Sequence, residues 1–348
     1  MPISAADYDY ELLRELIAQR PAERRDASRL MVLVGNRPPE HRPFTDLPKL
    51  LREGDVLVAN DSRVIPARIR GVKREGGAEV EALLLRDLGD GRWTALAKPG
   101  KRLRLGTKVD FRGELAGEVL AKLEGGVVVL GLAAARPIGE ILDEFGEAPL
   151  PPYIERPTGA DSRDARRYQT VYSRHPGSVA APTAGLHFTP DLLERLRARG
   201  VEWQTLTLHV GYGTFAPLPE GDLAGYRLHT EGFTLGKSTA RGVNRARLEG
   251  RRVIAVGTTT ARVLEAAADE TGLVTATSGE TDLFIHPPYR FRAVDGLLTN
   301  FHLPRSSLLM LVAALVGRER ILDAYREAMA EGYRFYSYGD ANLLLPTG

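Results

Sequence analysis

The spacing of apolar and polar positions changes character along the chain. Residues 10–19 have the period of a short amphipathic helix, closed by Pro21. Arg29-Leu-Met-Val-Leu-Val34 reads as a strand, followed by a loop with four prolines from Pro38 to Pro48 and a helical turn leading to Gly54. From Asp55 to Leu132 short alternating or β-branched runs recur: Val56-Leu-Val-Ala59, Ala67-Arg-Ile-Arg70, Val80-Glu-Ala-Leu-Leu-Leu85, Trp93-Thr-Ala-Leu-Ala97, Lys108-Val-Asp-Phe111, Gly117-Glu-Val-Leu120 and Val127-Val-Val-Leu130. Turn signals separate them at Gly76-Gly77, Gly89-Asp-Gly91, Pro99-Gly100 and Gly125-Gly126. Many short strands without a helical period predict a small barrel, placed at residues 62–152.

Residues 138–145 are helical in pattern, and Pro149-Leu-Pro-Pro-Tyr-Ile154 is a stiff linker. Beyond it helix and strand alternate. Helices are predicted at 190–199 (Pro190 at the first position, Gly200 as the stop), 238–249, 259–270, 306–316 and 318–331. Strands are predicted at 203–210 and 251–256. The fold class is therefore α/β: a layered α/β main domain, residues 1–61 plus 153–348, with an inserted small β-barrel domain. The N-terminal strand is expected to return and pack with the C-terminal two-thirds.

A length of 348 residues suits about two domains at roughly 150 residues each. The 43% hydrophobic and 26% charged fractions exclude a wholly disordered chain. The absence of cysteine removes disulfides, thiolate nucleophiles, iron–sulfur clusters and Cys-based zinc sites. The start lacks a signal-peptide pattern. The longest apolar run, residues 308–316, falls short of the about 20 residues that a membrane span needs. A cytoplasmic protein without a membrane partner is expected. With 47 basic and 45 acidic residues the net charge is +2, so local patches must decide about nucleic acid.

Several motifs fail on context. Gly211-Tyr-Gly213-Thr-Phe-Ala216 matches a dinucleotide fingerprint, but Pro217 and Pro219 forbid the helix that must hold the pyrophosphate. His229-Thr-Glu231 has the spacing of zinc deaminases without their cysteines. There is no Walker loop and no His-Glu-x-x-His, so no metal is expected.

Others survive. Gly257-Thr-Thr-Thr260 lies between a predicted buried strand and a helix, where backbone N–H groups and hydroxyls make an anion site; threonine N-capping is the plainer reading. His187, His209 and His302 stand in Gly/Thr/Asn-rich turns near predicted element ends, where α/β sites collect, although a single such histidine is more often structural. Lys98, Lys101, Arg102, Arg104, Lys108 and Arg112 form one basic group in the predicted barrel, and Arg63, Arg68, Arg70, Lys73 and Arg74 another. Small barrels with basic loops hold single-stranded or looped RNA; a solvated strand face is the alternative. The aromatic run from Tyr333 to Tyr338 reads as core.

Taken in order, Asn60-Asp-Ser-Arg-Val-Ile-Pro-Ala-Arg68, Pro149-Leu-Pro-Pro-Tyr-Ile154, Tyr168-Gln-Thr-Val-Tyr172, Gly177-Ser-Val-Ala-Ala-Pro-Thr-Ala-Gly-Leu-His-Phe-Thr189, His209-Val-Gly-Tyr-Gly-Thr-Phe215, His229-Thr-Glu231, Gly257-Thr-Thr with Arg262, Thr299-Asn-Phe-His-Leu-Pro304 and Tyr336-Ser-Tyr-Gly-Asp-Ala341 resemble the S-adenosylmethionine:tRNA ribosyltransferase-isomerase family of queuosine biosynthesis. The departures are small: Thr260-Ala261 before the Arg, and Asn342 where Met is common.

The resemblance implies an α/β domain plus a β-barrel. It implies transfer and isomerisation of the ribosyl part of S-adenosylmethionine onto 7-aminomethyl-7-deazaguanine at the wobble position of a tRNA with a queuosine-type anticodon. Epoxyqueuosine-tRNA, adenine and methionine would be the products. S-adenosylmethionine is then a consumed substrate and no cofactor is needed; a monomer is expected. The sulfonium acidifies the adjacent C5′ hydrogen, so a base that removes it drives loss of adenine. The tRNA amine then adds to the sugar, and closure to the epoxide expels methionine. On this reading His187, His209, Glu231 and His302 are the candidates for acid–base work, with roles unassigned among them. Thr258, Thr259 and Arg262 would hold the methionine carboxylate or a tRNA phosphate, and Asn300 a polar edge of adenine or ribose. Gly185, Gly211 and Gly213 would let backbone approach the ligand, and Thr183 is a further substrate-binding candidate. Arg63, Arg68, Lys98, Lys101, Arg102 and Arg104 would meet RNA. The rival readings are an ordinary methyltransferase, whose Gly-rich strand–loop–helix is not evident, and a non-enzymatic RNA-binding protein.

Overall fold

The computed structural model describes residues 3–100, 103–156, 159–211, 213 and 218–346. In chain order the strands are β1 (Arg29–Val34), β2 (Glu40–Pro43), β3 (Val56–Asn60), β4 (Ser62–Val64), β5 (Arg68–Lys73), β6 (Glu79–Gly89), β7 (Arg92–Lys98), β8 (Lys108–Phe111), β9 (Leu115–Lys122), β10 (Val127–Ala133), β11 (His175–Ser178), β12 (Glu202–Leu208), β13 (Glu231–Leu235), β14 (Val253–Val256), β15 (Thr277–Thr281), β16 (Gly296–Asn300) and β17 (Ala341–Leu345). The α-helices are α1 (Leu47–Leu50), α2 (Ile138–Phe145), α3 (Ser162–Arg167), α4 (Pro190–Ala198), α5 (Lys237–Leu248), α6 (Thr258–Ala267), α7 (Ser307–Val316) and α8 (Arg318–Ala330).

The chain forms two compact units. One comprises Met1–Ser62, Thr170–His175 and Pro182–Gly348, the other Arg63–Gln169 and Pro176–Ala181. The predicted insertion spans 62–152; in this division residues 153–169 and 176–181 also go with the smaller unit.

The larger unit is built on a nine-stranded sheet in the order β15-β13-β12-β3-β14-β16-β17-β1-β2. Its centre, β12, β3, β14 and β16, is parallel; β17 runs antiparallel to β16, and β1 pairs parallel with β17. That pairing is the predicted return of the N-terminal strand. Leu57, Ala59, Ile254, Val256, Leu298 and Leu343 face a core completed by Phe188 and by Leu192 and Leu196 of α4. The alternate positions, Val58, Ala255 and Leu297, are also fully buried. Both faces of the parallel centre are covered, as its near-continuous apolar strands require.

The smaller unit closes as a barrel in the order β10-β7-β6-β5-β8-β9. Its six strands fall on the alternating runs read between residues 67 and 130. Inward Ile69, Leu84, Ala95, Val109, Val119 and Leu130 fill it.

One predicted element is absent. Residues 10–19 are not an amphipathic helix; only Arg14–Leu16 makes a 3-10 turn. Phe335 N donates to Leu16 O at 2.8 Å and Ala18 N donates to Phe335 O at 3.3 Å, which holds the chain extended. The Tyr10 ring packs edge-on against Tyr325. Tertiary bonding overrides a weak local period here. The aromatic run from Tyr333 is core, as expected: Tyr333 and Phe335 are fully buried.

Candidate active site

Four parallel strands end along one edge. Asn60 sits beside Leu206, Ala59 beside Val256 and Val256 beside Leu298, so Asp61, His209, Gly257 and His302 follow in a row. Because β17 and β1 run the other way, Asp340 and Ser28, just before them, reach the same edge. Ligands of α/β sheets bind beyond the carboxyl ends of the strands.

The Asn60 amide ties the first two strand ends together. Its Nδ2 donates to Leu208 O at 2.9 Å, and its Oδ1 accepts from Leu208 N and Ser62 N, both at 3.0 Å. Asp61 follows, 3% exposed. Its carboxylate accepts from Thr207 Oγ1 at 2.7 Å, and its Oδ2 lies 4.0 Å from His175 Nε2. Thr207 and His209 are two residues apart and lie on the same side of their strand. His209 N donates to Gly232 O at 3.0 Å, while its Nδ1 is buried with no partner among the described residues. Burial holds the His209 pKa below the usual value, helped by His175 and opposed by Asp61. The Tyr172 hydroxyl is also buried without a partner among the described residues. A Cβ on Gly185 would come within 2.0 Å of it, so this turn admits no side chain.

The other two histidines are differently placed. His187 Nε2 accepts from Asn300 Nδ2 at 3.1 Å, which leaves Nδ1 to donate to Ser28 Oγ at 2.7 Å. Phe44 stacks on the ring at 4.9 Å. With both nitrogens engaged, His187 props the 3-10 helix Thr183–His187 against β16. Asn300 Nδ2 also donates to Tyr336 O at 3.2 Å, and its Oδ1, buried, has no partner among the described residues. His302 Nε2 meets Thr299 Oγ1 at 2.9 Å, its backbone N donates to the Tyr325 hydroxyl at 3.0 Å, and Tyr10 donates to its carbonyl.

Burial, aided by Arg334 and Arg25, lowers the His187 pKa to about 3, and burial alone takes His302 to about 3. Both rings are neutral in the fold, whereas in the unfolded chain they protonate near about 6.5. Their contribution to stability is complete above that value and is lost as pH falls from it toward 3. Melting curves between pH 8 and 4 should show Tm declining in that window, and declining less in His302→Asn.

Glu231 and Arg262 form a buried ion pair, each side chain 4% exposed. Glu231 Oε1 also accepts from Gly211 N at 2.9 Å, and Arg262 Nε donates to Leu283 O at 3.0 Å. The pair thus fixes the start of β13, the turn after β12 and the second turn of α6. Gly213 and His229 share a small pocket with Glu231 and Arg262. Thr258 and Thr259 open α6, 5% and 7% exposed, after Gly257 at φ +92°. Among the described residues no side chain caps this helix, so threonine N-capping is not what these threonines do; Thr260 Oγ1 donates back to Val256 O at 2.8 Å instead. Thr183, half-buried, begins the facing 3-10 helix, where Ala184 would lie 3.7 Å from a Cβ on Gly257.

The residues expected to meet RNA belong to the other unit. Arg63, Lys98 and Arg104 are exposed, whereas Arg68 is paired with Glu81 at 2.5 Å; Lys101 and Arg102 lie outside the described residues. Sequence reasoning assigned no role to Asp61, Tyr172, His175 or Ser28. A carboxylate straight after the apolar strand 56–60 was the available signal for Asp61. The others depend on contacts across the fold.

Residues 5–344 match the model of a family described as queuosine biosynthesis protein. The chain is 52% identical over 346 residues to the S-adenosylmethionine:tRNA ribosyltransferase-isomerase of Heliobacterium modesticaldum, covering 99% of this chain and 100% of that one. It is 49% identical to the protein of that name from Desulforamulus reducens, covering 98% and 99%. The crystal structure of S-adenosylmethionine tRNA ribosyltransferase from Thermotoga maritima is 39% identical with a TM-score of 0.56, covering 97% of this chain and 100% of that one. The match runs through both units and every strand of the edge described above, and the chain belongs to the queuosine biosynthesis protein family.

Proposed function

We propose that the protein is an S-adenosylmethionine:tRNA ribosyltransferase-isomerase, moving the ribosyl group of S-adenosylmethionine onto 7-aminomethyl-7-deazaguanine at the wobble position of a queuosine-type anticodon. Epoxyqueuosine-tRNA, adenine and methionine are the products. The enzyme is read as a cytoplasmic monomer that consumes S-adenosylmethionine and uses no further cofactor.

The observation that carries the mechanism is the open Nδ1 of His209 at the carboxyl edge. Burial keeps this imidazole neutral at neutral pH, so it is competent to take the C5′ proton beside the sulfonium. The Asp61 carboxylate, fixed by Thr207, then steadies the imidazolium. Asn300 Oδ1, left without a donor among the described residues, accepts from adenine or ribose. Thr258 and Thr259, with the uncapped amides of α6, hold the methionine carboxylate. Glu231 and Arg262 act through position: their pairing shapes the Gly211 turn and the second turn of α6. His187 holds the 3-10 helix Thr183–His187.

Incubation with S-adenosylmethionine labelled either in the ribose or in the methyl group tests this reading. Ribose label should enter the tRNA and methyl label should not. Methyl label in the tRNA would mark a methyltransferase, and binding without either label an RNA-binding protein.

A further inference from the structure

The barrel unit has a cavity of its own, about 650 Å³, on its outer face between β5, β6 and the ends of β7 and β8. Strand register sets out its walls. Lys98, Glu81 and Arg70 are direct cross-strand neighbours, and Glu79, Val72 and Asp110 form the next row. Arg112 follows just beyond β8.

Some of these charges are already satisfied. Glu81 is shared by Arg68 at 2.5 Å and Arg70 at 3.4 Å, and Arg70 also reaches Glu147 at 3.1 Å. Asp110 accepts from Gly113 N at 3.2 Å. Lys98, Arg112 and Glu79 have no ion-pair partner among the described residues, and the Arg112 guanidinium lies 5.7 Å over the Phe145 ring. Val72, 43% exposed, and Pro99 line the same cavity. The volume lies within the roughly 300–1,000 Å³ of ligand pockets. Two unpaired cations, an unpaired carboxylate and an apolar floor suit a ligand with anionic groups, a flat apolar body and an N–H donor.

We infer that this cavity takes one unstacked nucleotide of the RNA substrate, its flanking phosphates on Lys98 and Arg112, its base on Val72 and Pro99, and a ring N–H donated to Glu79. Both cations line this one cavity, from the ends of strands three steps apart in the barrel order. Guanine and uracil carry a ring N–H on the pairing edge, the donor assigned to this carboxylate, whereas adenine and cytosine offer only an exocyclic amine there. Single-stranded RNA is read in this way, by splayed bases and their edges. The inference rests on the reading of RNA as substrate.

Fluorescence anisotropy with a labelled anticodon stem-loop tests it, and adenine release is measured in parallel. Lys98→Ala and Arg112→Ala should each weaken RNA binding about tenfold and flatten its salt dependence by about one unit, with affinity for S-adenosylmethionine unchanged. N1-methylguanine or N3-methyluracil, placed one loop position at a time, should weaken binding at one position in wild type and not in Glu79→Gln. RNA binding unchanged in all three variants overturns the pocket, even where adenine is released. RNA binding that responds as stated without adenine release keeps the pocket and overturns the transferase reading.

Discussion

His209→Ala is expected to lower turnover by about 10²–10⁴-fold, the range in which a positioned general base contributes, while binding of S-adenosylmethionine and tRNA changes little. The reason is geometric. Of the three histidines near this edge, His209 alone has a buried ring nitrogen with no protein partner among the described residues. His187 is held at both nitrogens, and replacing it should disturb the 3-10 helix and stability more than the chemical step. Asp61→Asn separates this account from a packing role. An amide keeps the bond to Thr207 but removes the negative charge opposite the imidazolium. Turnover should fall and its acid limb should shift to lower pH, because the charge that raises the His209 pKa is gone. Equal loss of substrate affinity and turnover in His209→Ala would mean that the ring only shapes the pocket.

Arg262→Ala is expected to cost about 3–5 kcal/mol, because it leaves the Glu231 carboxylate buried without its counter-charge. For a unit of this size that is roughly 6–20 °C in Tm. Glu231→Gln combined with Arg262→Met should recover much of the loss, since no buried charge is then stranded. The recovered protein should remain poorly active, because the Gly211 turn and the second turn of α6 would lose their shared anchor. Thermal melts of the single and double variants form a double-mutant cycle. Additive losses would show that the two side chains do not stabilise one another.

Much of this fold was legible in the chain, for identifiable reasons. The barrel strands alternate cleanly because one side of each faces a closed core, and the helix at Pro190 starts where Thr189 caps it, Oγ1 accepting from Leu192 N at 3.1 Å. β15, Thr-Ser-Gly-Glu-Thr, lies at the sheet edge and is mostly exposed, so it carries no apolar signal. β16 and β17 are buried on both faces and therefore do not alternate. The extended segment at 10–19 is set by Phe335, more than 300 residues away, which no local period reports. For the site, the histidines and the threonine turn were found by their place at element ends. Which histidine is open was not readable, because the partners that close His187, Ser28 and Asn300, are 159 and 113 residues distant.

The most direct test of the whole account is the stoichiometry of small products released when the protein meets S-adenosylmethionine and tRNA carrying the aminomethyl-deazaguanine. Adenine and methionine should appear in equal amounts, each matching the modified tRNA formed. S-adenosylhomocysteine in their place would contradict it.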